Sequence, residues 1–292
     1  MNSVILFFVD GLGIGKREDH NPLSKCEAGP LAHFQEEEHP VELGGHLART
    51  DATLGVEGRP QSASGQTTIL TGVNAPKKLG RHKQGFPNEE LREIIRTGSI
   101  FKKLKQAGIG PNVFANTYTP QFFEGTPRWK SATTVAVESA GMDFCRIPDM
   151  LGGRSVFHDF TNRSLRERGF DVPEYSPEKA AEILARLSED HRFVLYEHFI
   201  TDKIGHAMDS SHALVHLPEL AEFLRLTVKF TDPERTTVIL TSDHGNIENL
   251  SVRNHTLNKV PTVVWGRDAE TKAKGIRDLT DIAPTVHGLL TE

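Results

Sequence analysis

Apolar residues are distributed along this chain in two rhythms. Short, nearly unbroken apolar runs occur at Ser3–Val9, Asn112–Asn116, Arg192–Phe199, Thr236–Thr241 and Val260–Trp265. Such runs are the pattern of strands buried on both faces of a parallel sheet. Between them lie segments with helical periodicity: Asn88–Arg96, Ser99–Gly108, Pro177–Leu187, Ser211–Phe230 (despite Pro218), and Asp278–Leu290, interrupted near Pro284. Strands alternating with helices predict an α/β fold, a largely parallel central sheet with helices on both faces. Arg59–Gly72 reads as a loop feeding a helix that Gly72 closes. Lys16–Val56 is polar and weakly periodic, which predicts loops and a short helix, with Gln35–Glu38 a solvated acidic face. Pro76–Gly85 is a basic loop, and Phe122–Pro173, with scattered aromatics, Arg, Gly and Pro, predicts a small irregular lobe near the substrate. No repeat or linker divides the chain, so residues 1–292 are expected to form a single domain.

Composition narrows the function classes. Charged residues make up 25% and hydrophobic residues 37%, ordinary values for a globular protein. A net charge of −5 gives no reason to expect nonspecific binding to nucleic acid or anionic membranes. Cys26 and Cys145 are too few for a disulfide framework or a Cys-rich zinc site and are expected as unpaired thiols in a reducing compartment. No apolar stretch reaches the ~20 residues that cross a bilayer. The start, running into Val4–Gly11 without a basic segment or cleavage site, gives no sign of a signal peptide, so the expected location is the cytoplasm.

Candidate chemistry gathers where the apolar runs end. Asp10 follows the first run, Asp243 and His244 follow Thr236–Thr241, and Gly245 next to them would permit a sharp turn. After the run at 192–199 come Asp202 and His206, four apart and so on one face of a helical turn. His255 lies eleven residues beyond His244. Ser62 stands at the entry to a helix, where backbone N–H groups favour a phosphate or a developing anion, as well as being able to serve as an ordinary N-cap. Together these residues offer three carboxylates, three imidazoles and one hydroxyl, a supply that fits two divalent cations with a serine between them. The remaining histidines, such as His20, His46, His191, His212, His216 and His287, are expected on the surface or on helices.

The order strand-Asp, Ser-x-x-Gly, Asp-x-x-x-His, Asp-His-Gly, His-Thr resembles the alkaline phosphatase superfamily of two-metal phospho- and sulfo-transfer enzymes. Within it, Thr241–Glu248 (TSDHGNIE) and Asn254–Pro261 (NHTLNKVP) are most similar to cofactor-independent phosphoglycerate mutase. The resemblance covers roughly residues 1–75 and 192–290. It implies an alkaline-phosphatase-like fold and two metal sites, one of Asp202, His206 and His255, the other of Asp10, Asp243 and His244 with Ser62 as nucleophile. Ser62 rather than Ser64 takes that role because it lies three before Gly65, and Gln66 stands where the mutases carry a His. The nitrogen and oxygen donors suit Zn²⁺ or Mn²⁺.

Those mutases carry a large domain inserted between nucleophile and later metal motifs, whereas 129 residues separate Gly72 from Asp202 here. The expected activity is therefore hydrolysis of a small phosphorylated substrate through a phosphoserine at Ser62. A mutase-like phosphotransferase and a phosphodiesterase or nucleotide pyrophosphatase would use the same residues. A non-catalytic metal-binding protein is the alternative of a different class, and an intact serine beside six ligands argues against it. Arg81, Lys83, Arg128, Lys130, Arg154 and Arg163 are candidates for an anionic substrate, though no spacing singles one out.

Overall fold

The structure is a computed structural model that describes residues 2–37, 40–124 and 129–291. Six strands, β1 (Ser3–Val9), β2 (His46–Thr50), β3 (Asn112–Phe114), β4 (Phe193–His198), β5 (Thr236–Thr241) and β6 (Val260–Trp265), form one sheet in the order β2-β6-β5-β1-β4-β3. The principal helices are α1 (Ser62–Thr71), α2 (Glu89–Gly98), α3 (Ile100–Gln106), α4 (Ala132–Ser139), α5 (Pro177–Asp190), α6 (Ile200–Ala207), α7 (Ser210–Phe230) and α8 (Ile282–Thr291).

β1 explains why an unbroken apolar run was required. Its side chains alternate between two cores: Ile5, Phe7 and Val9 face one, Val4, Leu6 and Phe8 the other. On the first face α5 and α7 supply Leu184, Leu217 and Phe223; on the second, α1, α3 and α8 supply Leu70, Phe101 and Val286. Phe7 packs against Tyr196 and Phe223 with ring centroids 5.1 Å apart in each case. The sheet is thus covered on both faces.

β1, β4, β5 and β3 run parallel, so Asp10, Asp202 and Asp243 all follow strands that end at the same edge. β6 is antiparallel to both β5 and β2. This reversal matters to the site, because the beginning of β6, not its end, lies at that edge, and His255 comes just before it. β2 ends at the same edge, with Thr50 opposite Val260, and sends the chain on toward Ser62.

Three local expectations are corrected. β2 forms within a stretch expected to hold loops and a short helix, because the pairing with β6 stabilises an edge strand too short and polar to announce itself; the rest of that stretch contributes 3₁₀ turns at Pro22–Ser24, Gly29–Leu31 and Glu42–Gly44. The basic loop begins with a helical turn, Ala75–Leu79, capped by the Asn74 side chain. Pro284 does not interrupt the closing helix: it lies in the first turn of α8, where a missing N–H breaks no helical bond, and the break falls at the 3₁₀ turn Leu279–Asp281. His216 is on a helix, as expected, but buried, its Nε2 2.8 Å from that of His198. In the irregular stretch 122–173, Ala132 and Val135 join one core and Val156, Phe160 and Leu165 the other; Arg128, like Glu38 of the acidic face, lies outside the described residues. Cys26 and Cys145 are free thiols, and no described helix is long and apolar enough to cross a membrane.

Phe7→Ala should remove the ring that joins β1 to β4 and α7, at a cost of about 3–5 kcal/mol. Urea unfolding would register it as a lower midpoint at unchanged slope; a midpoint within error of the parent would contradict this account of the core.

Candidate metal and phosphoryl-transfer site

Each candidate residue arrives by a local device. Asp10 leaves β1 directly, its backbone N–H held by the His198 carbonyl at 2.8 Å. Asp202 and His206 lie one turn apart on α6, and Asp243 and His244 follow β5. Ser62 is the first residue of α1, whose N-terminal dipole points at the site. Gly65 permits the approach of that helix: a Cβ there would lie 3.0 Å from both Cβ and O of Asp243. Gly245 serves a purpose other than the expected turn. A Cβ at this position would meet Glu248 Oε1 at 2.2 Å and Thr256 Oγ1 at 2.3 Å, so the need is for space beside two side chains.

All seven residues converge. Ligand atoms of Asp202, His206 and His255 lie within 4.8 Å of one another, and so do those of Asp10, Asp243 and His244. The two trios share a wall, the His244 and His255 rings stacking at 3.6 Å with 12° between planes. Ser62 Oγ is 2.9 Å from His244 Nε2. Ser64, by contrast, turns to the neighbouring loop, where its Oγ accepts from Lys83 N at 3.0 Å and donates to Gln61 O at 3.2 Å.

The donor chemistry of both trios fits cations. His206 Nδ1 faces Arg253 O at 2.8 Å and His255 Nδ1 faces Pro60 O at 2.9 Å. A carbonyl can only accept, so each Nδ1 carries the proton. Each neutral ring then has its lone pair on Nε2, yet these two atoms lie 3.1 Å apart. Burial pushes His255 down to about 4, with the positive His244 acting in the same direction, so His255 itself is not the ring to take up a proton near neutrality. A cation between the rings resolves the conflict. In the other trio, burial raises the Asp243 carboxyl well above its usual range, and Asp10 repels it further. Burial disfavours charge on His244 as well, but Asp243 and Asp10 outweigh that effect and hold it up at about 10. The carboxylates thus recruit positive charge even from an imidazole, the service a divalent ion would perform.

Several supporting residues escaped the sequence pattern. Gln66 Nε2 donates to Asp10 Oδ2 at 3.0 Å and to Asp243 Oδ2 at 3.3 Å. Asn246 Nδ2 donates to Asp202 Oδ1 at 2.7 Å. Glu248, fully buried, accepts from Gly13 N at 3.0 Å, Asn246 N at 2.7 Å, Thr256 Oγ1 at 2.5 Å and Asn258 Nδ2 at 3.0 Å, tying the loop after β1 to both ends of the β5–β6 connection. The run Asp243–Glu248 contained the signal for both, since side chains just past a ligand pair are placed to brace it.

A cavity of about 580 Å³ opens from Asp10, Ser62 and Asp202 and is bounded by the cations Arg168 and Lys203. Neither forms an ion pair with a described residue. Of the cations nominated from sequence, Lys130 is bound to Glu138 at 2.7 Å, Arg154 to Asp149 at 2.9 Å, and Arg163 to Glu174 at 2.6 Å and Glu219 at 2.7 Å. Lys83 Nζ donates to Gln84 O at 2.7 Å, and Arg81 is an exposed loop residue away from the cavity lining. Glu197 also lines the cavity, its carboxyl pushed up to about 7 by burial and by the charge of Asp10.

Comparison with known proteins agrees with this geometry. Residues 166–291 match the Metalloenzyme superfamily. The 2,3-bisphosphoglycerate-independent phosphoglycerate mutase of Mycoplasma genitalium is 29% identical over 130 residues, 42% of this chain and 25% of that protein. The phosphopentomutase of Alkaliphilus metalliredigens is 21% identical over 279 residues, covering 90% of this chain and 68% of its own length. Among solved structures, a Pyrococcus horikoshii protein superposes with a TM-score of 0.59 at 14% identity, over 99% of this chain and 97% of its own. A cold-active alkaline phosphatase from Shewanella sp. gives 0.56 at 11% identity, over 99% and 100%. The fold is therefore that of the alkaline phosphatases. Sequence relatives of the chain include phosphomutases, and it spans only about a quarter of the phosphoglycerate mutases, 25% in the Mycoplasma protein.

Glu248→Ala should leave buried donors from two loops without an acceptor, at about 1–3 kcal/mol for each unsatisfied group. The expected result is a lower unfolding midpoint and weaker metal binding by calorimetry. Unchanged metal affinity would remove Glu248 from the support of the site.

Proposed function

We propose that this chain is a two-metal phosphoryl-transfer enzyme that hydrolyses a small phosphate ester through a phosphoserine at Ser62. The observation that carries this reading is the position of Ser62 Oγ, 2.9 Å from His244 Nε2, at a helix N-terminus. Asp202, His206 and His255 would hold one divalent ion and Asp10, Asp243 and His244 the other, with Ser62 touching the second. Zn²⁺ or Mn²⁺ suits these donors. When bound, such ions supply Lewis-acid charge that lowers the cost of ionising the serine and offsets charge on the phosphoryl oxygens.

The protein groups account for the rest. Ser62 Oγ forms a bond to phosphorus as the ester P–O bond breaks, and the alcohol leaves with the proton that the serine gives up. Water then takes the phosphoryl group and restores the hydroxyl. The α1 N-terminus favours the developing negative charge at Oγ. Gln66 and Asn246 keep the carboxylates aimed, and Lys203 and Arg168 draw an anionic substrate into the cavity.

A phosphomutase is the second reading, favoured by the likeness to phosphopentomutase over 90% of the chain. Hydrolysis is preferred because α2, α3, β3, α4, α5 and β4, all between the nucleophile and Asp202, build the common core. The two unpaired thiols suit a reducing compartment, the cytoplasm.

With metals loaded, Ser62→Ala should lower turnover of an aryl phosphate by at least about a thousandfold while metal content stays at two ions per chain. Near-parental turnover would move the nucleophile elsewhere, and an inactive parent that still binds two ions would favour a selective mutase or a binding role. Metal affinity should rise with pH, since protons compete for the imidazoles, His244 above all. Titrations at pH 6 and pH 8 test the sign.

A further inference from the structure

The walls of the cavity beyond the metal corner are rich in aromatic rings. At the mouth Phe86 and Trp129 stack, ring centroids 5.9 Å apart and planes 28° from parallel, although both are exposed, at 45% and 61%. Deeper in, Tyr118 and Phe122 meet edge to face at 4.5 Å. On a third side His158 is sandwiched between Phe157 and Phe199, at 4.1 and 4.3 Å. All of these rings line the one cavity that opens from Ser62.

Several polar side chains among these rings are already engaged, while the buried His158 Nδ1 has no hydrogen-bond partner. The Asn116 side chain donates to Glu197 O at 2.7 Å and accepts from Glu197 N at 2.9 Å. The Tyr118 hydroxyl pairs with Thr134 at 2.9 Å, and Thr134 with Ser131 at 2.9 Å. A flat apolar ring would lose little and cover the two exposed rings at the mouth. The volume, about 580 Å³, lies within the roughly 300–1,000 Å³ of small-molecule sites.

We propose that the phosphate ester presented to Ser62 carries an aromatic ring system on its alcohol side, bound among Phe86, Trp129, Tyr118 and Phe122. The phosphate sits at the metal corner and the ring points to the mouth. This rests on the phosphoryl-transfer reading of the corner, but its test needs no turnover.

Binding of 1-naphthyl phosphate, ethyl phosphate and free 1-naphthol to the metal-loaded full chain would be measured by calorimetry and by the fluorescence of Trp129, in the parent and in Ser62→Ala. The naphthyl ester should bind at least about tenfold more tightly than the ethyl ester, and 1-naphthol should compete with it, as expected when stacked aromatic contacts dominate. Phe86→Ala and, separately, Trp129→Ala should each narrow that ratio severalfold; both positions are exposed, so neither change threatens folding. Equal affinity for the two esters, or a ratio untouched by both substitutions, would overturn the proposal. A persistent naphthyl preference in a protein that turns over neither ester would instead overturn the hydrolase reading and leave this one standing.

Discussion

Three carboxylates, those of Asp10, Asp202 and Asp243, are brought into one water-poor corner, and the rest of the structure answers to that convergence. Two unit charges 4 Å apart repel by about 4 kcal/mol at an effective dielectric of 20, before any cost of burial is counted. Left alone, such a cluster would push its strands apart or protonate. The protein responds with Gln66 across Asp10 and Asp243, Asn246 on Asp202, and an imidazole, His244, drawn toward the charged state. These are partial remedies. A pair of imidazoles, His206 and His255, whose Nε2 atoms face each other at 3.1 Å marks a place where positive charge would be welcome.

The mixed direction of the sheet is what makes the convergence geometrically simple. Parallel strands deliver β1, β4 and β5 to one edge, and the loops after them carry the aspartates. A wholly parallel sheet would need a crossover helix before it could return the chain to that edge. Because β6 is antiparallel to β5, the whole connection between them, with His255, stays at that edge, and β2, paired in turn with β6, leads the chain toward the serine. Glu248 then locks the loops to each other through four accepted hydrogen bonds.

What the sequence made legible follows from how much local pattern each feature leaves. β1 and β5 are buried on both faces, so their apolar runs are unbroken, and ligands placed directly after them are easy to find. β2 pairs along one edge through residues such as His46 and Arg49, and its strand character comes from β6 rather than from its own composition. Arg168 and Lys203 resemble every other surface cation until the fold is known; their distinction is a place in the cavity wall with no carboxylate partner among the described residues, which no spacing encodes. Gly245 was legible as a necessary glycine but not for its reason, since the side chains that crowd it come from residues 248 and 256. The aromatic cavity draws on residues from Phe86 to Phe199 and has no linear signature at all.

Helix α6 occupies eight residues, yet it presents Asp202 and His206 to one face and Lys203 to the cavity, with the Lys203 ammonium 4.6 Å above the Phe199 ring. A single rigid turn therefore answers to two masters. Whatever tightens the grip of the aspartate and histidine also fixes where the ammonium stands, so a change of ion radius would be felt as a change in substrate preference. Conversely, a ligand that pulls on the lysine would tug on the coordination shell. If α6 holds an ion and Lys203 meets the substrate as proposed, selectivity for metal and selectivity for substrate would share one lever.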